Sequence, residues 1–294
     1  MGAANKAKLQ LITSMFIFGT IGIFVRYVPL PSSVLALVRG FVGSIFVFLF
    51  LMLRKSSISK DAIRKNLKML IFSGIALGVN WILLFEAYRY TTVATATLCY
   101  YLAPIFVIMV SPVLLKERLS MKQMICVAFA LLGMVFVSGV LETGIPALSE
   151  AKGVLYGLGA AVFYATVILM NKKITEISAY DKTIMQLGTA AVVLLPYILL
   201  TEPLGELIAL LTPFSVGMLL FVGIVHTGVA YVLYFGSMKD LNAHTIAIFS
   251  YVDPIVAILL SALFLKEAMG LHGVIGAVLV LGSTFISELP EKEK

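Results

Sequence analysis

The chain has 294 residues, 61% hydrophobic and only 13% charged, against roughly 25% charged in soluble domains. With a mean hydropathy of +1.05, it reads as an integral membrane protein and not as a soluble domain with a large core. A formal net charge of +7 suggests a nucleic-acid partner, but where the cations fall argues against one.

At about 20 residues per span plus short loops, the length accommodates about ten helices. The N-terminus, Met1 to Lys8, is short and basic. The apolar run from Leu9 to about Val28 is too long for a signal-peptide core and lacks a small-residue cleavage site, so it reads as a retained first span. Further spans are expected at 33–53, 67–88, 92–115, 121–140, 152–171, 182–200, 213–236, 242–265 and 270–287. The separators are Pro29 and Pro31, the basic stretch Arg54 to Lys68, Leu141 to Glu150, Asn171 to Lys182, and Glu202 to Pro213. All are short, which leaves no extramembrane domain. Cys99 and Cys126 fall inside apolar runs and read as small buried hydrophobes, not as a disulfide or metal pair.

With the N-terminus inside, seventeen of the 22 Lys and Arg residues fall in cytoplasmic segments. The opposite side holds Arg26, Arg89, Lys152 and Lys266, and Arg39 lies within the second span. This bias places both termini in the cytoplasm. The basicity is topological.

One stretch occurs twice, 150 positions apart: Tyr101 to Glu117 and Tyr251 to Glu267 share eight of seventeen residues. Each carries a proline three residues after its tyrosine, Pro104 and Pro254, and ends in Lys-Glu. Proline removes a backbone donor and frees a carbonyl, which a bilayer tolerates only where protein or a water-filled cavity satisfies it. Both prolines therefore mark hinges. The same shift aligns Gly78 with Gly228, Trp81 with Tyr231, Phe85 with Phe235 and Arg89 with Lys239. The expected fold is all-α and integral to the membrane: ten transmembrane helices in two inverted five-helix repeats, 1–145 and 146–294, around a central cavity. Five spans per half is odd, so the second half enters upside down, as in secondary transporters. Gly74-x-x-x-Gly78, Gly153-x-x-x-Gly157 and Gly270-x-x-Gly273-x-x-Gly276 read as close helix packing.

Together these features resemble the drug/metabolite transporter superfamily, in particular the EamA family. The resemblance rests on Phe18-Gly19-Thr20, Arg39-Gly40-Phe41, Ala87 to Thr92, the two Pro…Lys-Glu stretches and Gly273 to Leu279. It implies a 5+5 helical basket with a cavity lined by spans 1, 3, 4, 6, 8 and 9, and export of amino acids or other small metabolites. It also implies the inner membrane of a prokaryotic cell. Phe18 stands where the family usually has tryptophan.

Ionisable groups at membrane depth cost about 2.5–3.5 kcal/mol on insertion scales, which makes each a functional candidate. Asp253, unmatched in the first copy where Ala103 stands, is placed to carry a proton or hold a substrate ammonium; a carboxylate buried against a tyrosine is the alternative. For His226, matched by Ala76, proton exchange and hydrogen-bonded packing both stay open. Glu86 and Arg39 read as an outer gate pair, against simple exposure for Glu86 and snorkelling for Arg39. His244 and the Lys-Glu ends read as interfacial anchors. Tyr101 and Tyr251, beside the weakened turns, are expected to line the cavity. Asn80, Trp81, Tyr100, Tyr164 and Tyr231 complete the candidate aromatic and amide set, with packing as their alternative. No His-Glu-x-x-His, Gly-x-Ser-x-Gly, Walker loop or metal-ligand cluster occurs in the sequence, so neither enzymatic activity nor a cofactor is expected. A gradient, through proton or exchange-substrate coupling, would then drive a small solute; an uncoupled facilitator and an organic-cation drug pump are the alternatives.

Overall fold

The computed structural model describes residues 3–55, 58–114, 120–137, 148–238, 241, 249–250, 252–267 and 269–289. Regular structure among them is entirely helical. In chain order the helices are α1 (Ala3–Tyr27), α2 (Ser32–Leu53), α3 (Lys60–Tyr90), α4 (Val93–Tyr100), α5 (Ala103–Leu114) and α6 (Met121–Val137). There follow α7 (Leu148–Lys173), α8 (Ala179–Thr201), α9 (Leu204–Leu210), α10 (Pro213–Phe221), a π-helical stretch (Val222–Val229), α11 (Ala230–Met238), α12 (Val252–Phe264) and α13 (Leu271–Glu288). Among the described residues seven stretches are long and apolar enough to cross a membrane, α1, α2, α3, α7 and α8 with α4 running into α5 and α10 running through the π stretch into α11, and α6, α12 and α13 are shorter apolar helices. The protein is a multi-pass membrane protein.

Local chemistry starts the helices where the chain needs them. The side chains of Ser59, Thr92, Ser178 and Thr212 each accept the amide of the residue three further on, a cap worth about 1 kcal/mol. Ser120 and Gln123 exchange side-chain bonds to each other's amides at 2.9 and 3.2 Å, the reciprocal capping box. The fourth span breaks as its proline demands: α4 stops at Tyr100 and α5 restarts at Ala103, just before Pro104. Pro254 sits in the first turn of α12. Tyr251, His244, and Lys116 and Glu117 of the first copy's end lie outside the described residues.

Two local features depart from the pattern read along the chain. The separator from Glu202 to Pro213 contains the short helix α9, and the eighth span is not uniformly α-helical but loosens into the π stretch.

Helix α3 is the central post. It packs against α7 and α8; α2 packs against α8 and the π stretch; α1 against α11 and α12; α4 and α5 against α7; and α6 against α13. The glycine pairs earn their place as contacts. A Cβ on Gly276 would fall 2.7 Å from the Gly133 carbonyl, and one on Gly157 2.7 Å from Cys99 Cβ. Both cysteines are free and buried.

The two ends of α3 carry different partners. Near its start, Lys65 pairs with Glu176 at 2.5 Å, and Asn66 Nδ2 donates to the Thr175 carbonyl at 2.9 Å. Just past its end, the Thr91 carbonyl accepts from Arg26 at 2.7 Å. From residue 65 to 91 an α-helix rises roughly 39 Å. The start of α3 and the loop 174–178 therefore share one face, and Arg26 lies at the other.

Candidate functional site

Asp253 is the centre of the polar interior. It lies in the first turn of α12, roughly 17 Å along the helix axis from Phe264 at the far end. Gly19 of α1 lets the two backbones meet, since a Cβ there would stand 2.5 Å from the Asp253 carbonyl. The Tyr101 hydroxyl is in hydrogen-bonding contact with the Asp253 carboxyl and donates to the Ser250 carbonyl at 3.3 Å.

Aromatic rings surround this carboxyl. Tyr100 packs on Tyr164 at 5.1 Å and on Tyr101 at 6.0 Å between centroids. Phe18, the substituted tryptophan position, meets Tyr231 edge-on at 5.4 Å and Tyr234 at 6.4 Å. Tyr100, Tyr101, Tyr164, Tyr231 and Asp253 are only half-buried, although they sit deep among helices from both halves.

Span 2 adds a cation. Arg39 is 5% exposed. Its guanidinium carbon stands 4.4 Å from the Trp81 ring centroid and 5.3 Å from that of Phe85. Its Nε donates to Thr227 Oγ1 at 3.0 Å. Trp81 and Phe85, four apart, share one stripe of α3. Glu86 is turned about 100° from Phe85 and reaches Arg89 at 4.0 Å instead. The expected Glu86–Arg39 pair does not form, because one helix face cannot present residues 81, 85 and 86 to the same neighbour.

Two other candidates are packed rather than open to the cavity. His226, 1% exposed, bonds Thr20 Oγ1 through Nε2 at 2.9 Å while that hydroxyl donates to the Ile17 carbonyl at 2.7 Å. The ring is edged by Phe24 and Phe221 at 4.8 and 5.5 Å. Asn80 is fully buried and donates to the Ala160 carbonyl at 2.6 Å, pinning α3 to α7.

The sequence reading missed the strongest interhelical cluster. Arg26 pairs with Glu267 at 2.6 Å, and Glu267 also accepts from the Val93 amide at 2.9 Å and the Ser261 hydroxyl at 2.6 Å. This ties α1, the α3–α4 corner and the end of α12 together. Glu267 was expected only as an interfacial anchor; its place in the Lys-Glu repeat was the available signal. Thr20, which bonds His226, stood in the Phe18-Gly19-Thr20 motif with no role assigned, and Thr227, which bonds Arg39, carried no signal along the chain.

A bundle of apolar helices enclosing charged and phenolic groups at membrane depth defines a membrane transporter. The EamA-like transporter family model matches residues 5–139 and again 151–289, and the chain belongs to that family. It is similar to the uncharacterized transporter YxxF of Bacillus subtilis, 31% identical over 279 residues, covering 94% of this chain and 87% of that protein. An uncharacterized transporter of Archaeoglobus fulgidus is 26% identical over 284 residues, covering 95% of each. Protein PecM of Dickeya dadantii is 24% identical over 222 residues, covering 74% of this chain and 72% of PecM. One solved crystal structure of a protein superposes with a TM-score of 0.66 at 20% identity, covering 96% of both chains, a likeness of fold alone.

Proposed function

We propose that this protein is a secondary active transporter that moves a small polar metabolite, such as an amino acid, by alternating access of two inverted five-helix halves. The observation that carries the reading is the set of polar groups held among apolar helices: the Arg39 guanidinium on Trp81 and Thr227 and Asp253 on α12 where it meets α1, with tyrosines drawn from both halves. A solute bearing both charges, or one charge and hydroxyls, is matched there.

Several observations support the inverted halves. The family model matches twice, at 5–139 and 151–289. Exchanging the halves maps the α1–α12 packing onto α7 with α4 and α5, α1–α11 onto α7–α3, and α3–α8 onto the π stretch with α2. The contacts α2–α8, α4–α12 and α6–α13 map onto themselves. Arg26 and Glu176, each just beyond or at the end of its half's first helix, lie at opposite ends of α3, as inversion requires. Pro104 and Pro254 act as hinges. Both termini are cytoplasmic by the charge bias, the membrane is the inner membrane of a prokaryote, and the direction is export by family likeness.

Purified protein in proteoliposomes, with radiolabelled solutes and an imposed pH gradient, tests the reading. Saturable flux that Asp253→Asn reduces at least tenfold is expected. Unchanged pH-driven flux in Asp253→Asn removes Asp253 from coupling, and no flux for any polar solute removes the transport reading. An organic-cation pump is the second reading, favoured by the Asp253 carboxyl among tyrosines. Arg39 opposes it, since a cation in the same cavity would meet a like charge.

A further inference from the structure

Arg39 presents a problem that the packing does not solve. A charge taken out of water is costly unless it is paired and hydrogen-bonded. Among the described residues Arg39 nevertheless has no carboxylate within ion-pair distance, and its one hydrogen bond there uses Nε. Guanidinium carries five N–H donors in a planar fork, so the two Nη groups are left without a hydrogen-bond partner among the described residues. Trp81 below and Thr227 at the side hold the plane rigid. The π stretch sets this up by turning Thr227 onto Gly43, where a Cβ would come within 2.4 Å of its methyl group. A rigid fork with its outer edge unused is the geometry that receives a two-oxygen anion.

We propose that Arg39 is a carboxylate-reading site: its Nη edge binds the carboxylate of the transported solute, with Trp81, Phe85 and Thr227 as positioning residues. The assignment rests on the transport reading above and narrows it to solutes bearing a carboxylate. The neighbouring Asp253 and tyrosine hydroxyls then receive the solute's ammonium or hydroxyl groups. Neutral sugars and lipophilic cations are excluded.

The protein carries its own reporter, because Trp81 is its sole tryptophan and touches the guanidinium. Sodium acetate titrated into the purified full chain in nanodiscs should shift Trp81 emission saturably and raise the melting temperature. Arg39→Lys keeps the charge but not the fork, and should weaken the acetate response at least tenfold; Arg39→Gln should abolish it. Thr227→Val frees the Nε and should weaken it several-fold, which keeps the test alive if the Arg39 variants fold poorly. Sodium chloride separates the two sources of an anion. A chloride response with none to acetate would make the site a halide site and overturn the carboxylate assignment. So would an acetate response unchanged in Arg39→Lys, or the absence of both the emission and melting shifts. Flux separates this proposal from the transport reading. Transport of a neutral polar solute without acetate binding overturns the carboxylate site alone, whereas acetate binding without flux of any carboxylate overturns transport alone.

Discussion

The two ends of α3 are held by the same chemistry and with unequal strength. At the Arg26 end the ion pair is sheltered, with side chains 30% and 16% exposed, and Glu267 takes two further bonds from the Val93 amide and Ser261. At the Lys65 end the partners are 61% and 70% exposed, and Glu176 makes one bond. Exposed pairs lose most of their attraction to water and salt, while hydrogen bonds to a sheltered charge are worth about 1.5–3 kcal/mol each. The Arg26 cluster also joins α1, α4 and the end of α12, whereas the Lys65 pair joins α3 to a loop. One end of the bundle is therefore fastened across several helices, and the other is only tethered.

Breaking the fastened end should have the largest effect. Glu267→Ala leaves Arg26 without its partner and the Val93 amide and Ser261 hydroxyl without an acceptor. Melting in nanodiscs should fall by the equivalent of about 2–4 kcal/mol, and a cysteine placed at Thr91 should label several-fold faster. Unchanged labelling would show that the cluster does not close that end. Next comes Gly19→Ala, which drives a Cβ into the Asp253 carbonyl and Val256. Overpacking of this kind costs about 1–3 kcal/mol, and flux should drop with stability; an equally stable, equally active variant would refute the tight α1–α12 contact. Tyr101→Phe removes one hydrogen-bonding group from Asp253 and should raise the solute KM a few-fold without changing the melt.

The tethered end should respond least. Lys65 holds the Glu176 carboxyl below its usual range by a charge-assisted hydrogen bond. A carboxylate whose folded value is depressed stabilises above its unfolded value and loses that contribution as pH falls through the folded one. Acidifying below the ordinary glutamate range should therefore speed proteolysis in residues 174–178, with no change in Lys65→Ala, whose rate is already high. High salt should act as acid does. A large melting shift in Lys65→Ala would reverse the ranking of the two ends.

Much of this was legible along the chain because membrane burial writes itself locally. Apolar runs of about 20 residues and the break before Pro104 depend on neighbours in sequence and on the bilayer. Asp253 and Tyr101 could be singled out together because a weakened turn concentrates polar groups nearby. His226 and Asn80 could not be sorted into packing or cavity, since that depends on which way a helix is rotated, and an almost uniformly apolar helix carries no amphipathic stripe to report it.

What the sequence determined by itself is the membrane setting, the approximate span positions and the doubled Tyr-x-x-Pro stretch, since each follows from hydropathy, charge and periodicity. Only the tertiary structure decided that Arg39 faces Trp81 and Thr227 rather than Glu86, and that Arg26 meets Glu267 across 241 positions. Those pairings are set by helix rotation and by close approach at glycines, contacts between residues distant in the chain that leave no trace in local pattern.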